Sequence, residues 1–199
     1  MIAYIKGQIA ALSPAELILE NAGIGYQILI SLQTYAALEG RQEATLYIHH
    51  YLREDEELFF GFATLEERDL FRLLISVSGI GVTSARMMLS TLSSEEIRQA
   101  IASGDVNRIK SVKGIGLKSA QRLVLELKDK VAKGEGSDGN LSGAILTAGA
   151  SSSSIEEATT ALTLLGFSKA NISKVMPAAI KEATSGKVED IIKAALKRL

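Results

Sequence analysis

The most informative stretch of this 199-residue sequence is Val112-Lys113-Gly114-Ile115-Gly116-Leu117-Lys118-Ser119-Ala120. A second copy, Val77-Ser78-Gly79-Ile80-Gly81-Val82-Thr83-Ser84-Ala85, lies 35 residues upstream and is identical at six of the nine positions. Helical patterns flank the Gly-Ile-Gly turn in both copies. The sequence therefore predicts a tandem repeat of a helix, a tight turn and a second helix.

A Gly-Ile-Gly turn between helices is typical of a backbone anion site. Glycine permits tight turning and close backbone approach, and the isoleucine can anchor the turn in the core. The turn and the next helix then direct unpaired N–H groups outward. Such a site holds a DNA phosphate without reading bases. The alternative, plain turns between antiparallel helices, is disfavoured by Lys113, Lys118 and Arg122 around the second copy.

We predict that both turns contact DNA. In the first, contact is mostly through the backbone because Val82 and Thr83 carry no charge; its predicted residues are Gly79, Gly81, Thr83, Ser84 and Arg86. In the second, the predicted residues are Lys113, Gly114, Gly116, Lys118, Ser119 and Arg122.

The distribution of charge also favours a nucleic-acid partner. The whole chain has a net charge of −1, yet residues 1–63 carry −5 and residues 64–133 carry +4. A basic segment beside an acidic one allows binding that the total charge hides. The absence of cysteine excludes a disulfide scaffold, a thiolate metal site and a cysteine nucleophile. Neither a signal peptide nor a run of ~18 apolar residues is present, so we expect a cytoplasmic protein without membrane contact.

Residues 1–63 have the pattern of a small β domain. Ser31 to Glu39 predicts a short helix with Ser31 or Thr34 as its cap. The expected strands are 2–9, 16–20, 25–30, 44–52 and 57–62. Five strands with a helix between the third and fourth predict a closed barrel of the OB type.

The rest of the chain is helical except for one Gly/Ser/Ala-rich segment. Thr64 and Glu67 have the spacing of a capping box, and Pro177 should kink or split a helix over 169–184. The other tail helices are expected at 155–165 and 187–198. We thus predict an α+β multidomain protein: a barrel at 1–63, a tandem hairpin domain at 64–133, a flexible linker at 134–154 and a three-helix domain at 155–199.

An acidic loop, Arg53-Glu54-Asp55-Glu56-Glu57, joins the last two predicted strands. An isolated acidic run is usually only a solvated turn. In a protein that binds phosphates, these carboxylates would instead repel the DNA backbone. They would disfavour a continuous duplex and push strands apart at a junction, which is discrimination by repulsion.

Several patterns that suggest enzymes fail on context. The G-x-G-x-x-G match at 134–139 follows a helix and lies in the linker, and the segment at 117–119 lacks the glycine of a P-loop. His49 and His50 are adjacent on a strand and point to opposite faces. We therefore predict no catalytic residue, no cofactor and no metal.

The three-helix tail offers a surface for a protein partner. A unit of about 45 residues cannot bury all of its apolar side chains. We expect exposed apolar surface at Leu162, Leu165 and Phe167 to contact that partner. The alternative for each of these residues is a place in the core. The Leu-Gly-Phe turn resembles that of ubiquitin-associated three-helix domains.

Nearly the whole chain resembles the RuvA family, the Holliday-junction-binding subunits of bacterial branch-migration machines. The most specific matches are Arg53-Glu54-Asp55 with Leu58-Phe59-Phe60-Gly61-Phe62, the segment from Gly114 to Leu123, and the tail from Ala161 to Phe167. The resemblance implies a homotetramer that clasps a four-way junction in an open form. Glu54 and Asp55 match the family's acidic pin, and Glu56 is an extra acid beside it. The first hairpin lacks a lysine that the family often carries.

The resemblance further implies the partners. The mobile third domain would contact the hexameric RuvB ATPase motor, with the RuvC resolvase as a further partner and one or two tetramers on each junction. We therefore predict a non-catalytic subunit that serves recombination and repair. Two alternatives remain: a generic structure-specific DNA-binding module of a nuclease or repair enzyme, and a metal-dependent nuclease that uses the acidic loop.

Overall fold

The computed structural model describes residues 1–132, 152–183 and 187–199. The residues up to Ala132 belong to one compact unit, and those from Ser152 onward belong to a second. The predicted linker lies outside the described residues except for 152–154, which are helical. Across the described ranges, no helix has both the length and the apolar character needed to cross a membrane.

The N-terminal part of the first unit is a closed five-stranded barrel, as predicted. The strand order around it is β1-β2-β3-β5-β4, in which only the β3–β5 pair is parallel. A side chain at Gly7 would place its Cβ 2.0 Å from the Glu20 carbonyl oxygen, so this strand crossing requires glycine. The strands are β1 Tyr4–Ser13, β2 Glu16–Asn21, β3 Ile24–Ile30, β4 Glu43–Leu52 and β5 Glu57–Phe62.

A short helix, α1 (Leu32–Leu38), connects β3 to β4. The Ser31 hydroxyl accepts from the Thr34 N–H at 3.0 Å, so Ser31 is the cap. Because β3 pairs with β5 and runs directly into this helix, α1 is fixed to the strand that carries the acidic loop.

In the described residues of the first unit, five helices follow the barrel and share a core with it. Phe71 stacks against Phe60 of β5 with ring centroids 5.2 Å apart and lies 4.9 Å from Phe62. Apolar contact of this kind stabilises the barrel and the helices as one body. The helices are α2 Leu65–Ile75, α3 Val82–Thr91, α4 Ser94–Ser103, α5 Val106–Lys110 and α6 Leu117–Ala132.

The capping box predicted at the start of α2 is only half formed. The Thr64 hydroxyl accepts from the Glu67 N–H at 3.2 Å. The Glu67 carboxylate accepts instead from the hydroxyls of Ser31 and Thr34. Glu67 is 5% exposed, and these two hydroxyls satisfy a carboxylate that burial would otherwise penalise.

Within residues 152–183 and 187–199, the second unit contains three helices: α7 (Ser152–Leu164), α8 (Lys169–Glu182) and α9 (Val188–Leu196). Of the two outcomes predicted for Pro177, a kink or a split, the split does not occur, since α8 continues through Pro177 as one element. Pro177 is exposed, so the carbonyl that loses its N–H partner can bond to water. Leu162 is fully buried in the tail core, which corrects its prediction as an exposed contact residue.

Candidate nucleic-acid interface

The two Gly-Ile-Gly turns have the same backbone hydrogen bonds. Ile80 N–H donates to the Val77 carbonyl at 3.0 Å, and Ile115 N–H donates to the Val112 carbonyl at 3.2 Å. All four of these side chains are buried. The helix that follows each turn begins with an equivalent bond, from Ala85 to Gly81 and from Ala120 to Gly116, both 2.9 Å. The sequence repeat is therefore a structural repeat.

The two glycines of each turn serve different purposes. Gly79 and Gly114 have φ values of +92° and +90°, a conformation that L side chains rarely adopt. Gly81 and Gly116 have no such requirement, and a Cβ at either would meet nothing within 4 Å. The first glycine is thus needed for the turn itself. The second leaves open space beside the N–H groups at the helix start, where an anion can approach.

The turns lie against one another. A Cβ at Gly79 would be 3.5 Å from the Ser119 Oγ atom, which belongs to the first turn of α6. The Ser119 hydroxyl, which belongs to the second repeat, therefore lies close to the Gly-Ile-Gly turn of the first repeat. Two anion sites this close can hold phosphates of a single DNA segment.

Exposed cations surround the second turn. Lys113 lies within it, and Lys118 lies at the start of α6; both are exposed. Arg122 is also exposed, but its Nε donates to Glu126 at 2.6 Å. An i,i+4 pair at a surface contributes little stability, so a phosphate can compete with Glu126 for this guanidinium.

The first turn has fewer free groups. Thr83 is exposed and Ser84 is half-buried, so their hydroxyls are the polar groups nearest the start of α3. Arg86 donates through an Nη1 hydrogen to the Ala15 carbonyl of the barrel at 3.2 Å. Its side chain ties α3 to the barrel, which the sequence alone did not reveal.

The acidic loop forms the tip of the β4–β5 hairpin. Arg53 N–H donates to the Glu56 carbonyl at 2.8 Å, and the Arg53 guanidinium lies over the Tyr51 ring at 5.0 Å. Glu54, Asp55 and Glu56 are exposed, and we refer to these three residues as the acidic pin. Glu57 differs from them because its carboxylate is 2.8 Å from His50 Nε2.

The two histidines lie on opposite sides of β4, as expected, and both are half-buried. His49 lies against Phe60 and Phe71, and His50 lies against Phe59. Burial lowers the pKa of His49, with Arg72 as a further cause. Within the described residues, no group of three or more His, Cys, Asp or Glu side chains could hold a metal ion.

Sequence reasoning missed the polar contacts that join the barrel to the hairpins. Glu67 bonds to Ser31 and Thr34, and Gln33 bonds to the end of α3. These partners are 33 to 59 residues apart in the chain, and no local spacing rule predicts such pairs. A polar residue at an otherwise apolar position of α2 was the one available signal for Glu67.

Among the described residues of the tail, the two most exposed large apolar side chains lie at the end of α7 and directly after it. Leu164 and Leu165 are 73% and 60% exposed, while Phe167 is half-buried against the tail core. The exposed pair therefore includes Leu164, which the sequence analysis did not single out, rather than Leu162.

Fold and turns together define a class: a tandem helix-hairpin-helix protein fused to a small β-barrel. Three family models match the sequence: the RuvA N terminal domain at residues 1–61, a SAM-like helix-hairpin-helix tandem at 71–129 and the RuvA C-terminal domain at 153–199. The chain belongs to the RuvA family.

Similar proteins cover the whole chain. One from Bacteroides fragilis is 48% identical over 202 residues, and one from Christiangramia forsetii is 45% identical over 199; both matches span 100% of each chain. A third, from Trichlorobacter lovleyi, is 43% identical and spans 99% of that relative. Each is described as a Holliday junction branch migration complex subunit RuvA.

Proposed function

We propose that this chain is a non-catalytic subunit that binds four-way junction DNA and holds it open for branch migration. The observation that carries the proposal is the combination, in one compact unit, of two equivalent Gly-Ile-Gly turns and an exposed acidic pin. The turns attract the DNA backbone and the pin repels it. A continuous duplex would meet both, whereas a junction offers an opening for the pin.

The residues proposed to bind DNA follow the two turns. In the second turn, Lys113 and Lys118 supply charge, Arg122 can leave Glu126, and the N–H groups near Gly114, Gly116 and Ser119 face the phosphate. In the first turn, the contact runs through the backbone at Gly79 and Gly81 with the hydroxyls of Thr83 and Ser84. Arg86 acts there mainly as a link to the barrel.

Binding to a four-way junction and to linear duplex of equal length tests this proposal. The full chain should prefer the junction. Replacing Glu54 by Gln together with Asp55 by Asn should raise duplex affinity and reduce the preference, most at low salt because exposed charges are then least screened. The matched control is Glu20→Gln with Glu39→Gln, two exposed barrel acids outside the pin. Equal affinity of the unaltered chain for both DNAs would contradict the proposal, and cleavage of the junction with magnesium would favour a nuclease.

We also propose that the chain assembles as a homotetramer on the junction and that its tail recruits the hexameric RuvB ATPase, with RuvC as a further partner of the complex. Four copies match the four arms of the DNA. Native mass measurement with and without junction DNA distinguishes one tetramer from two. A species smaller than a tetramer on the junction would refute the assembly.

The motor contact is proposed at Leu164 and Leu165, with Phe167 supporting them from the core. Replacing both leucines by Ser in the full chain should abolish stimulation of the motor while junction binding stays unchanged. Leu196→Ser, another partly exposed leucine of the tail, is the control. Undiminished branch migration by the Leu164/Leu165 variant would rule out this surface.

A further inference from the structure

The side-chain amide of Gln33 uses three hydrogen bonds to join α1 to the corner between α3 and α4. Its Nε2 group donates to the Leu89 carbonyl at 2.5 Å and to the Leu92 carbonyl at 2.6 Å. Its Oε1 atom accepts from the Ser94 N–H at 3.3 Å. Beside it, Leu32 N–H donates to the Ser90 hydroxyl at 3.1 Å. Gln33 thus satisfies orphan carbonyls at the end of α3.

On the barrel side, Gln33 is linked to the acidic pin by a short rigid path. The pin leads directly into β5, and β5 pairs with the end of β3 through Leu29–Phe60 and Ile30–Gly61. The chain passes from Ile30 through the buried Ser31 into α1, where Gln33 lies. Thr34 adds a second link because its hydroxyl accepts from the Ala63 N–H at 3.2 Å.

On the helical side, Gln33 is linked to the first phosphate-binding turn. The carbonyls it contacts terminate α3, whose other end is Gly81. A ten-residue helix is a rigid rod of roughly 15 Å. Movement at the Gln33 end of α3 is therefore transmitted to the turn.

We propose that Gln33 is a positioning residue that sets the acidic pin relative to the phosphate-binding turns, and thereby sets the preference for junction over duplex DNA. The apolar core between Phe60, Phe62 and Phe71 holds the two parts together without specifying an angle, because apolar contact is not directional. The three hydrogen bonds of Gln33 are directional. This inference rests on the proposed function, since it concerns the same pin and turns.

The first test is Gln33→Met, which keeps the length of the side chain and removes all three hydrogen bonds. Affinities of the full chain for junction and for duplex are measured, and their ratio is the readout. We expect the ratio to fall about fivefold, within the range for residues of one hydrogen-bonded network, while duplex affinity changes little. Gln27→Met is the control, because the Nε2 group of exposed Gln27 donates to the Glu16 carboxylate within the barrel.

A second variant protects the test against misfolding. Ser90→Ala removes the neighbouring hydroxyl that bonds to α1 and leaves Gln33 intact. It should lower the same ratio in the same direction by a smaller factor. Melting curves of every variant establish that the compact unit remains folded.

A double-mutant cycle separates positioning of the pin from general loosening. In a background with Glu54→Gln, Asp55→Asn and Glu56→Gln, Gln33→Met should change the ratio by less than about twofold, because no charge of the pin is left to position. An equal loss in both backgrounds would overturn the inference, and so would a Gln33→Met ratio equal to that of Gln27→Met. If the unaltered chain shows no preference for junctions, the proposed function itself fails.

Discussion

The two helix-hairpin-helix repeats, called here the first and second hairpins, have the same Gly-Ile-Gly turn but different surroundings. Their backbone hydrogen bonds, their left-handed glycines and their buried Val and Ile residues correspond one to one. The helices of the first hairpin contact the barrel through Glu67, Arg86 and the end of α3. The second hairpin carries exposed Lys113 and Lys118 instead.

This difference indicates that the duplicated motif has divided its tasks. The glycine and apolar positions specify the turn, so both copies keep them. The flanking polar positions are free to diverge, and they do. The first hairpin is bonded to the barrel, and the second hairpin carries the exposed lysines Lys113 and Lys118. The absence of a cation at Thr83 is consistent with this division.

The largest expected effect comes from closing the open space at the second turn. Gly116→Val places a branched side chain where a phosphate approaches, without a positive φ to violate. Hydrogen bonds to charged groups are worth about 1.5–3 kcal/mol each, so junction affinity should fall about tenfold to a hundredfold. Titration of labelled junction DNA measures this loss.

The matched variant of the first turn is Gly81→Val. It should cost less affinity, because the charge near that turn is smaller. A Cβ at either position meets no neighbour within 4 Å, so both variants should remain folded, and their melting temperatures should resemble each other because the two turns are equivalent. Equal losses of junction affinity in the two variants would show that the two hairpins contribute equally to binding.

The next effect is a loss in the free energy of unfolding, which should be equal for the two hairpins. Gly114→Ala and Gly79→Ala each force a side chain into the left-handed region, at a cost of about 1–2 kcal/mol. The contact of a Gly79 Cβ with Ser119 Oγ, at 3.5 Å, is an ordinary one and adds no penalty. Urea unfolding measures both values. A much larger loss at Gly79 would mean that the turns differ in backbone strain.

Much of this architecture could be predicted because it depends on local pattern. Alternation along Leu17 and Leu19 and the Gly-Ile-Gly repeat report burial and turns that neighbouring residues determine. The barrel and the paired turns were accordingly predicted, and Ser31 is one of the two caps that the sequence left open for α1. The α7 start at Ser152 was not, since serine-rich sequence is typical of linkers as well as of helix starts.

The parts that failed depend on partners distant in the chain. Glu67 has capping-box spacing, yet its carboxylate turns to Ser31 and Thr34 because the barrel brings two hydroxyls there. Leu162 and Leu165 look alike in sequence, and only the packing of α7 separates the buried one from the exposed one. Arg86 was expected to contact DNA and is also bonded to the Ala15 carbonyl.

A smaller effect should appear in the salt dependence of binding. Lys118→Ala should reduce the slope of log affinity against log salt by about 1, because one phosphate contact is lost. Thr83→Lys should increase that slope by a similar amount by giving the first turn the cation it lacks. Affinities at several salt concentrations provide both slopes. An unchanged slope for Thr83→Lys would place that position away from the DNA.

The smallest expected effect concerns Glu67, which joins the first hairpin to the barrel. It should appear in the pH dependence of the free energy of unfolding. Burial raises the pKa of Glu67 above its ordinary 4.5, and the hydrogen bonds from Ser31 and Thr34 offset part of that rise. The folded chain therefore holds this proton more tightly than the unfolded chain does. As pH rises from about 4.5 through the raised pKa, this carboxyl must lower the free energy of unfolding.

Glu67→Gln removes that contribution, since an amide can accept from one hydroxyl and donate to the other without carrying a charge. The free energy of unfolding of this variant, relative to the unaltered chain, should increase between pH 4.5 and pH 7.5. Glu66→Gln, at the exposed neighbouring position, should show no such change. His49, whose pKa is lowered, acts in the opposite sense below its ordinary 6.5, and the difference between variants cancels it. The opposite result would be a free energy of unfolding of the unaltered chain that increases with pH relative to that of Glu67→Gln. The site would then stabilise the ionised carboxylate, and the first hairpin would be anchored by charge rather than by two hydroxyls.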